Sequence, residues 1–178
     1  MSVTAIIVSD NHGKRSGLKK VLNRHQDEAD FFIHCGDSEF DTHDELIQQF
    51  ICVKGNCDYE MGYDEFAIVP FGEFGDMFVT HGHMDLVNFN TDRLVQKATL
   101  MSPNIRMVCY GHTHQVDVSI AGHILVLNPG SLEFPRDGSK VSKYMKLEVT
   151  DTSYEVSVLE AKRGSVIEHF SFDRVVST

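Results

Sequence analysis

Five short polar clusters stand out in the chain: Asp10-Asn11-His12, Gly36-Asp37, Gly55-Asn56-Cys57-Asp58, His81-Gly82-His83 and Gly111-His112-Thr113-His114. They combine carboxylates, a carboxamide and imidazoles, set beside glycines that let the backbone turn tightly and bring side chains to one point. A single Asp-x-His or His-x-His pair is more often a solvated turn than a ligand set. Five clusters, each after an apolar strand-like run, argue instead for a shared metal centre. Two divalent cations about 3.5–4 Å apart, bridged by a shared carboxylate, hold both sides of a phosphoryl group and activate a water. Mixed donors of this kind suit manganese, nickel, iron or zinc, whereas an all-oxygen shell would suit magnesium or calcium. The chain has no thiolate pair of the kind that holds structural zinc.

The elements that must position these clusters follow from hydrophobic periodicity. The run 3–8 (VTAIIV) predicts a buried strand ending at Ser9-Asp10, and Leu18, Val21 and Leu22 at helical spacing predict a helix from Lys14 to His25. The pattern repeats with a strand at 31–35, a helix from Asp44 to Phe50 and a strand at 51–55, as in β-α-β units with right-handed crossovers. A strand and its tip at 77–83 precede a helix from about Thr91 to Met101, stopped by Pro103. Beyond it, IRMVCYGHTH, VDVSI, HILVLNPGS, YMKLEV, YEVSVLEA and VIEHFSF read as short, mostly antiparallel strands separated by turns. The fold class expected is α/β, with two packed β-sheets flanked by helices. Strand tips are where sites assemble in such sheets.

Length and composition bound the rest. The 178 residues fit one domain, 1–178, with loose ends confined to the last few residues, and 42% hydrophobic with 24% charged residues is ordinary for a soluble protein. A net charge of −10 repels a polyanion, so bulk nucleic acid is not expected as a partner. The four cysteines, Cys35, Cys52, Cys57 and Cys109, are scattered, which suits a reducing cytosol. No apolar run approaches the ~18 residues of a membrane span. The start MSVTAIIVSDNH lacks a basic leader and cleavage site, so a cytoplasmic location away from the membrane is expected.

DNH, GD, GNCD, HGH and GHTH occur in the order and rough spacing of the calcineurin-like metallophosphoesterase superfamily, a resemblance covering residues 6 to about 135. GNCD together with NPGS at 128–131 resembles the small bacterial and archaeal phosphodiesterase branch that includes YfcE-type proteins. The resemblance implies a four-layer αββα sandwich of two mixed β-sheets. It implies that Asp10, His12 and His114 hold one metal, that Asn56, His81 and His112 hold the other, and that Asp37 bridges. The implied cofactors are two divalent ions, with manganese first. The implied activity is hydrolysis of a small phosphodiester without a covalent enzyme intermediate, and a homodimer or higher homo-oligomer is left open.

One position departs from the family pattern. Many relatives read GNH, and that histidine assists protonation of the leaving group; here the position is Cys57. A thiol is a poor substitute for an imidazolium acid near neutral pH, so weak action on simple alkyl monoesters is expected. Asp37 and Asn56 are taken as catalytic as well as ligating. His83 is the remaining catalytic candidate, either orienting His81 or contacting substrate, and Asp58 is a candidate carboxylate behind a ligand histidine. Cys57 as a nucleophile lacks an activating base, and Ser131 follows Pro-Gly, the signature of a turn. Arg15, Arg136 and Lys140 read as surface charge, and Leu94, Val95, Ala98 and Met101 as helix packing. The alternatives to a phosphodiesterase are a phosphomonoesterase and, because retromer-type subunits share the fold, a non-catalytic scaffold.

Overall fold

The computed structural model describes residues 1–59 and 62–174, so the loose ends expected at the extreme C-terminus lie outside the described residues. Two mixed sheets face each other. The first has six strands in the order β11-β10-β9-β1-β2-β3, and the second has five in the order β4-β5-β6-β8-β7.

In the first sheet, β1 (Ser2–Val8), β2 (Phe31–His34) and β3 (Ile51–Cys52) run parallel, and β9 (Lys143–Thr150), β10 (Ser153–Glu160) and β11 (Val166–Asp173) form an antiparallel meander on the other side of β1. Helix α1 (Arg15–His25) connects β1 to β2. Strand β1 is apolar from Ala5 to Val8 because both of its faces are covered there: Ala5 and Ile7 enter the core between the sheets, while Ile6 and Val8 meet Leu18 and Val21 of α1.

The second sheet contains β4 (Phe66–Pro70), β5 (Asp76–Thr80), β6 (Ile105–Cys109), β7 (Val116–Ala121) and β8 (Ile124–Pro129). Helix α2 (Asp92–Met101) covers its outer face, where Leu94 and Ala98 pack on Phe78, Ile105, Val108 and Val126. The layers are therefore helix, sheet, sheet, helix, in agreement with the sequence reading.

Three local expectations are corrected. The helix from Asp44 to Phe50 is only a short 3-10 turn, Ile47–Gln49. Leu46, Ile47 and Phe50 do bury against the α1 face, but Phe50 must be extended (φ −113°, ψ 144°) to enter β3, and Asp44 spends its side chain on the Leu46 N–H (2.9 Å). Strand β4 was not anticipated, because Phe66–Pro70 is half-exposed and shows no clean alternation. The second half is less antiparallel than expected: β6 runs parallel to β5, since the α2 connection carries the chain back to the same edge, and parallel to β8, since the chain first runs through the edge strand β7 that pairs antiparallel with β8. Among the described residues, no helix is long and apolar enough to cross a membrane.

Candidate metal centre

The parallel strands β1, β2, β5 and β6 end at one edge of the sandwich, and each must turn sharply while presenting a polar side chain. Five of the seven residues expected as ligands adopt left-handed backbone: Asp10 (φ 57°), His12 (φ 44°), Asp37 (φ 55°), His112 (φ 68°) and His114 (φ 58°). That conformation costs L-residues about 1–2 kcal/mol each. Strain gathered at one edge marks a site whose geometry the rest of the fold maintains. The tips are bound to each other through Asp10 N–H to Gly36 O (3.1 Å), His12 N–H to Asp37 O (3.1 Å) and Gly111 N–H to His81 O (3.1 Å). They approach so closely that a Cβ on Gly111 would lie 2.1 Å from Ser9 Oγ, and one on Gly55 2.4 Å from the Asp37 nitrogen.

Hydrogen bonds on the far side of the rings decide which nitrogens face inward. His81 Nδ1 lies 2.7 Å from the Cys35 carbonyl, and His114 Nδ1 lies 2.6 Å from the Phe134 carbonyl. A carbonyl only accepts, so each Nδ1 carries a proton and each ring turns its Nε2 to the centre. His12 Nδ1 is held likewise by Glu39 Oε1 (2.6 Å).

The inward atoms converge. His12 Nε2 and His114 Nε2 are 3.3 Å apart, and Asp10 Oδ1 lies 3.1 Å from His114 Nε2 and 3.8 Å from His12 Nε2. Asp37 Oδ2 is 3.3 Å from His81 Nε2 and 4.0 Å from His12 Nε2. Asn56 Oδ1 is 3.1 Å from His81 Nε2 and 3.0 Å from His112 Nδ1, whose other nitrogen meets the Asn88 amide at 3.2 Å. Asp10 Oδ1 is fully buried and has no hydrogen-bond partner among the described residues. Lone pairs facing lone pairs in a buried site are unfavourable unless positive charge lies between them, so the donor set fits divalent cations. Asp10 with His12 and His114, and Asp10 with Asp37 and His81, each bring their donor atoms within 4.8 Å of one another.

The protonation tendencies have the same cause. Burial opposes ionisation of Asp10, but the His114 and His81 rings and the Ser9 hydroxyl outweigh it and hold the carboxyl below the ordinary range. Burial likewise opposes ionisation of Asp37, and His81 together with the Cys57 N–H overcomes it. Burial would lower His81, yet Asp37 and Asp10 raise it. The pocket thus favours positive charge at its centre.

All seven expected ligands come together, and so does the neighbouring Cys57. Burial, then the nearby Asp37 carboxylate, pushes the Cys57 thiol up to about 11, which leaves it protonated and a poor nucleophile. His83 stands beside the array, its ring centroid 5.4 Å from His81 and 6.2 Å from His112. It does not orient His81, because the Cys35 carbonyl does. Asp58 does not back a ligand histidine either. It accepts the N–H groups of Asp37 (2.8 Å), Glu39 (2.7 Å) and Gly55 (2.7 Å) and so ties the β2 and β3 tips together.

Sequence reasoning missed Glu39, the carboxylate that does back a ligand; an acid two residues beyond Gly36-Asp37 was its only signal. The NPGS segment has a structural role. Asn128 donates to Gly111 O (2.9 Å) and Thr113 Oγ1 (3.1 Å), and Ser131 Oγ donates to Asp10 O (2.8 Å), which pins the histidine loop to the β1 tip. Arg15 pairs with Asp44, and Leu94 and Ala98 are core. Beside His12, Glu39, Phe40, Asp41, Cys57, Asp58 and Tyr59 line an open cleft rich in carboxylates.

The geometry has counterparts in known proteins. A family model described as the calcineurin-like phosphoesterase superfamily domain matches residues 3–152. The probable metallophosphoesterase YsnB of Bacillus subtilis is 31% identical over 134 residues, covering 75% of this chain and 78% of that protein. The phosphodiesterase MJ0936 of Methanocaldococcus jannaschii is 28% identical over 146 residues, covering 70% and 81%. A solved structure from Streptococcus pneumoniae, a predicted phosphoesterase, superposes with a TM-score of 0.90 at 31% identity over 98% of this chain and 99% of that one. The phosphoesterase YfcE of E. coli (TM-score 0.69, 22% identity, 94% and 98% covered) and Vps29 of Cryptosporidium parvum (TM-score 0.77, 17% identity, 97% and 99% covered) share the fold. With strained strand tips, an inward-facing donor array and a family match over most of its length, the chain belongs to the calcineurin-like phosphoesterase superfamily.

Proposed function

We propose that this protein is a metal-dependent phosphodiesterase with a dinuclear centre, in which Asp10, His12 and His114 hold one cation, Asn56, His81 and His112 hold the other, and Asp37 lies between them. The observation that supports this best is the convergence of nitrogen and oxygen atoms from these seven residues, with one buried carboxylate oxygen left without a hydrogen bond among the described residues. The mixed donor set favours manganese, with nickel, iron and zinc as alternatives. When bound, the cations supply Lewis-acid charge for the phosphoryl oxygens and lower the pKa of a water.

The chain's own groups set the substrate preference. Cys57 offers no strong acid to the leaving group, which favours esters whose alcohol departs unaided. Glu39 and Asp41 border the adjoining cleft and repel a dianionic monoester more than a monoanionic diester. The same carboxylates, with the −10 net charge, disfavour a nucleic-acid chain and favour a small diester. His83, with its buried Nδ1 unpartnered among the described residues, flanks the array where a substrate oxygen would enter.

The test is hydrolysis of bis(4-nitrophenyl) phosphate and 4-nitrophenyl phosphate by metal-stripped protein to which manganese, nickel, zinc or magnesium is restored. Diester turnover that needs metal and disappears in Asp37→Ala is the expected result. Preference for the monoester would make the protein a phosphatase, and no turnover with any metal would leave a scaffold of the kind the Vps29 fold likeness suggests.

A further inference from the structure

We propose that Phe134 is a specificity-determining residue, whose ring is the platform on which a planar aromatic substituent of the phosphoester, a nucleobase or an aryl group, stacks. The inference rests on the phosphoesterase reading of the neighbouring donor array and names the substrate class for it.

Phe134 is the third residue after Asn128-Pro129-Gly130-Ser131, and its backbone is held at both ends. Its N–H donates to Ser131 Oγ (2.8 Å), the same hydroxyl that donates to Asp10 O (2.8 Å). Its carbonyl accepts the Nδ1 proton of His114 (2.6 Å). The residue is therefore fixed to two of the ligand-bearing tips. Its ring lies with the centroid 5.5 Å from that of His12 at an interplanar angle of 55°, yet 51% of the residue remains exposed. The ring belongs to none of the three apolar clusters.

Exposure of an apolar side chain does not by itself call for an explanation. Phe134 differs because its backbone is pinned at the edge of the donor array, with its ring centroid 5.5 Å from that of His12 and half of the residue open to solvent. A rigid phenyl face is low in entropy cost for a partner and attracts any flat π-system with little regard to its substituents. Glu39, whose carboxylate holds His12 Nδ1, and Asp41 disfavour a further anionic group in the cleft they line. An ester carrying one small, flat, uncharged group satisfies both conditions.

The test reads binding, so that it does not depend on turnover. Manganese-loaded wild type, Phe134→Ala and Phe134→Tyr are titrated calorimetrically with thymidine 5′-monophosphate, phenyl phosphate and methyl phosphate, with manganese content measured in parallel. The Ala variant is expected to bind the first two about tenfold more weakly, as loss of one stacking partner implies, and methyl phosphate within about twofold of wild type. The Tyr variant keeps wild-type affinity. Weakening of thymidine 5′-monophosphate alone assigns the platform to a nucleobase, and weakening of phenyl phosphate alone assigns it to an aryl group. Equal weakening of all three, no weakening of either aromatic ligand, or failure of wild type to bind any of them would overturn the proposal. Absence of diester hydrolysis would remove only the diesterase reading and leave the platform to this titration.

Discussion

Two buried carboxylates a short way apart behave in opposite ways. Asp58, 3% exposed, has both oxygens occupied by backbone N–H groups of Asp37, Glu39 and Gly55. Asp10, fully buried, spends Oδ2 on the Ser9 hydroxyl (2.5 Å) and the His112 N–H (3.1 Å) but leaves Oδ1 without a hydrogen bond, facing His114 and His12. The first is an assembly point for loops, complete within the chain. The second is left incomplete by the chain itself, as the proposed cation site requires. Each is the single aspartate of a polar cluster, so residue type alone does not separate them; their hydrogen bonds do.

The effect that separates the two most directly lies on the Asp10 side. Saturating manganese should raise the melting temperature of wild type by about 5–10 °C, the shift that ~2–3 kcal/mol of linkage produces in a chain of this size. Asp10→Asn should lose that shift together with metal-dependent turnover. A retained shift in a calorimetric scan would mean that Asp10 is as structural as Asp58. On the other side, Asp58→Ala should cost about 3–5 kcal/mol in denaturant unfolding of the metal-free protein, because two buried N–H groups and the part-buried one of Glu39 lose their acceptor. Asp58→Asn should cost less, since one oxygen remains.

The comparison sharpens at His34, beneath both carboxylates. Its ring is fully buried and held neutral: Gly36 N–H donates to Nδ1 (3.1 Å), and Nε2–H donates to Asn11 Oδ1 (2.7 Å). Burial lowers its pKa to about 4, below the unfolded value of 6.5. The unfolded chain then takes up the proton first as pH falls. Stability is whole above pH 6.5 and declines between pH 6.5 and about 4, by up to about 3 kcal/mol. In the metal-free protein, His34→Gln should flatten the stability profile over that window; an unchanged slope would assign it to other groups. The smallest effect is at Glu39. Glu39→Ala frees the His12 ring and should weaken manganese binding roughly 10–100-fold by calorimetry, while leaving metal-free stability near wild type.

Much of the fold was legible because its signals are local. The apolar run of β1 has both faces buried, and Leu18 and Val21 fall on one face of α1, so strand and helix follow from spacing. The segment Asp44–Phe50 misled because its three apolar residues satisfy one turn of helix and equally a 3-10 turn that feeds β3. Strand β4 was hidden because its burial comes from pairing with β5, a contact absent from its own pattern. At the site, all seven expected ligands were legible as clusters, whereas Glu39 and Phe134 were not: each acts through a ring distant in sequence, Glu39 on His12 and Phe134 on His114.

The sequence by itself determined the inventory: which donor atoms exist, that they sit at strand tips, and that a cysteine follows Gly55-Asn56. Only the tertiary structure decided which lone pairs point at one another. His81 is oriented by a carbonyl 46 residues earlier and His114 by one 20 residues later, and Asp10 is left with one bare oxygen while Asp58 has none. The reason is physical: side-chain chemistry is carried by each residue, but a proton's position and a lone pair's direction are set by whichever group the folded chain places opposite.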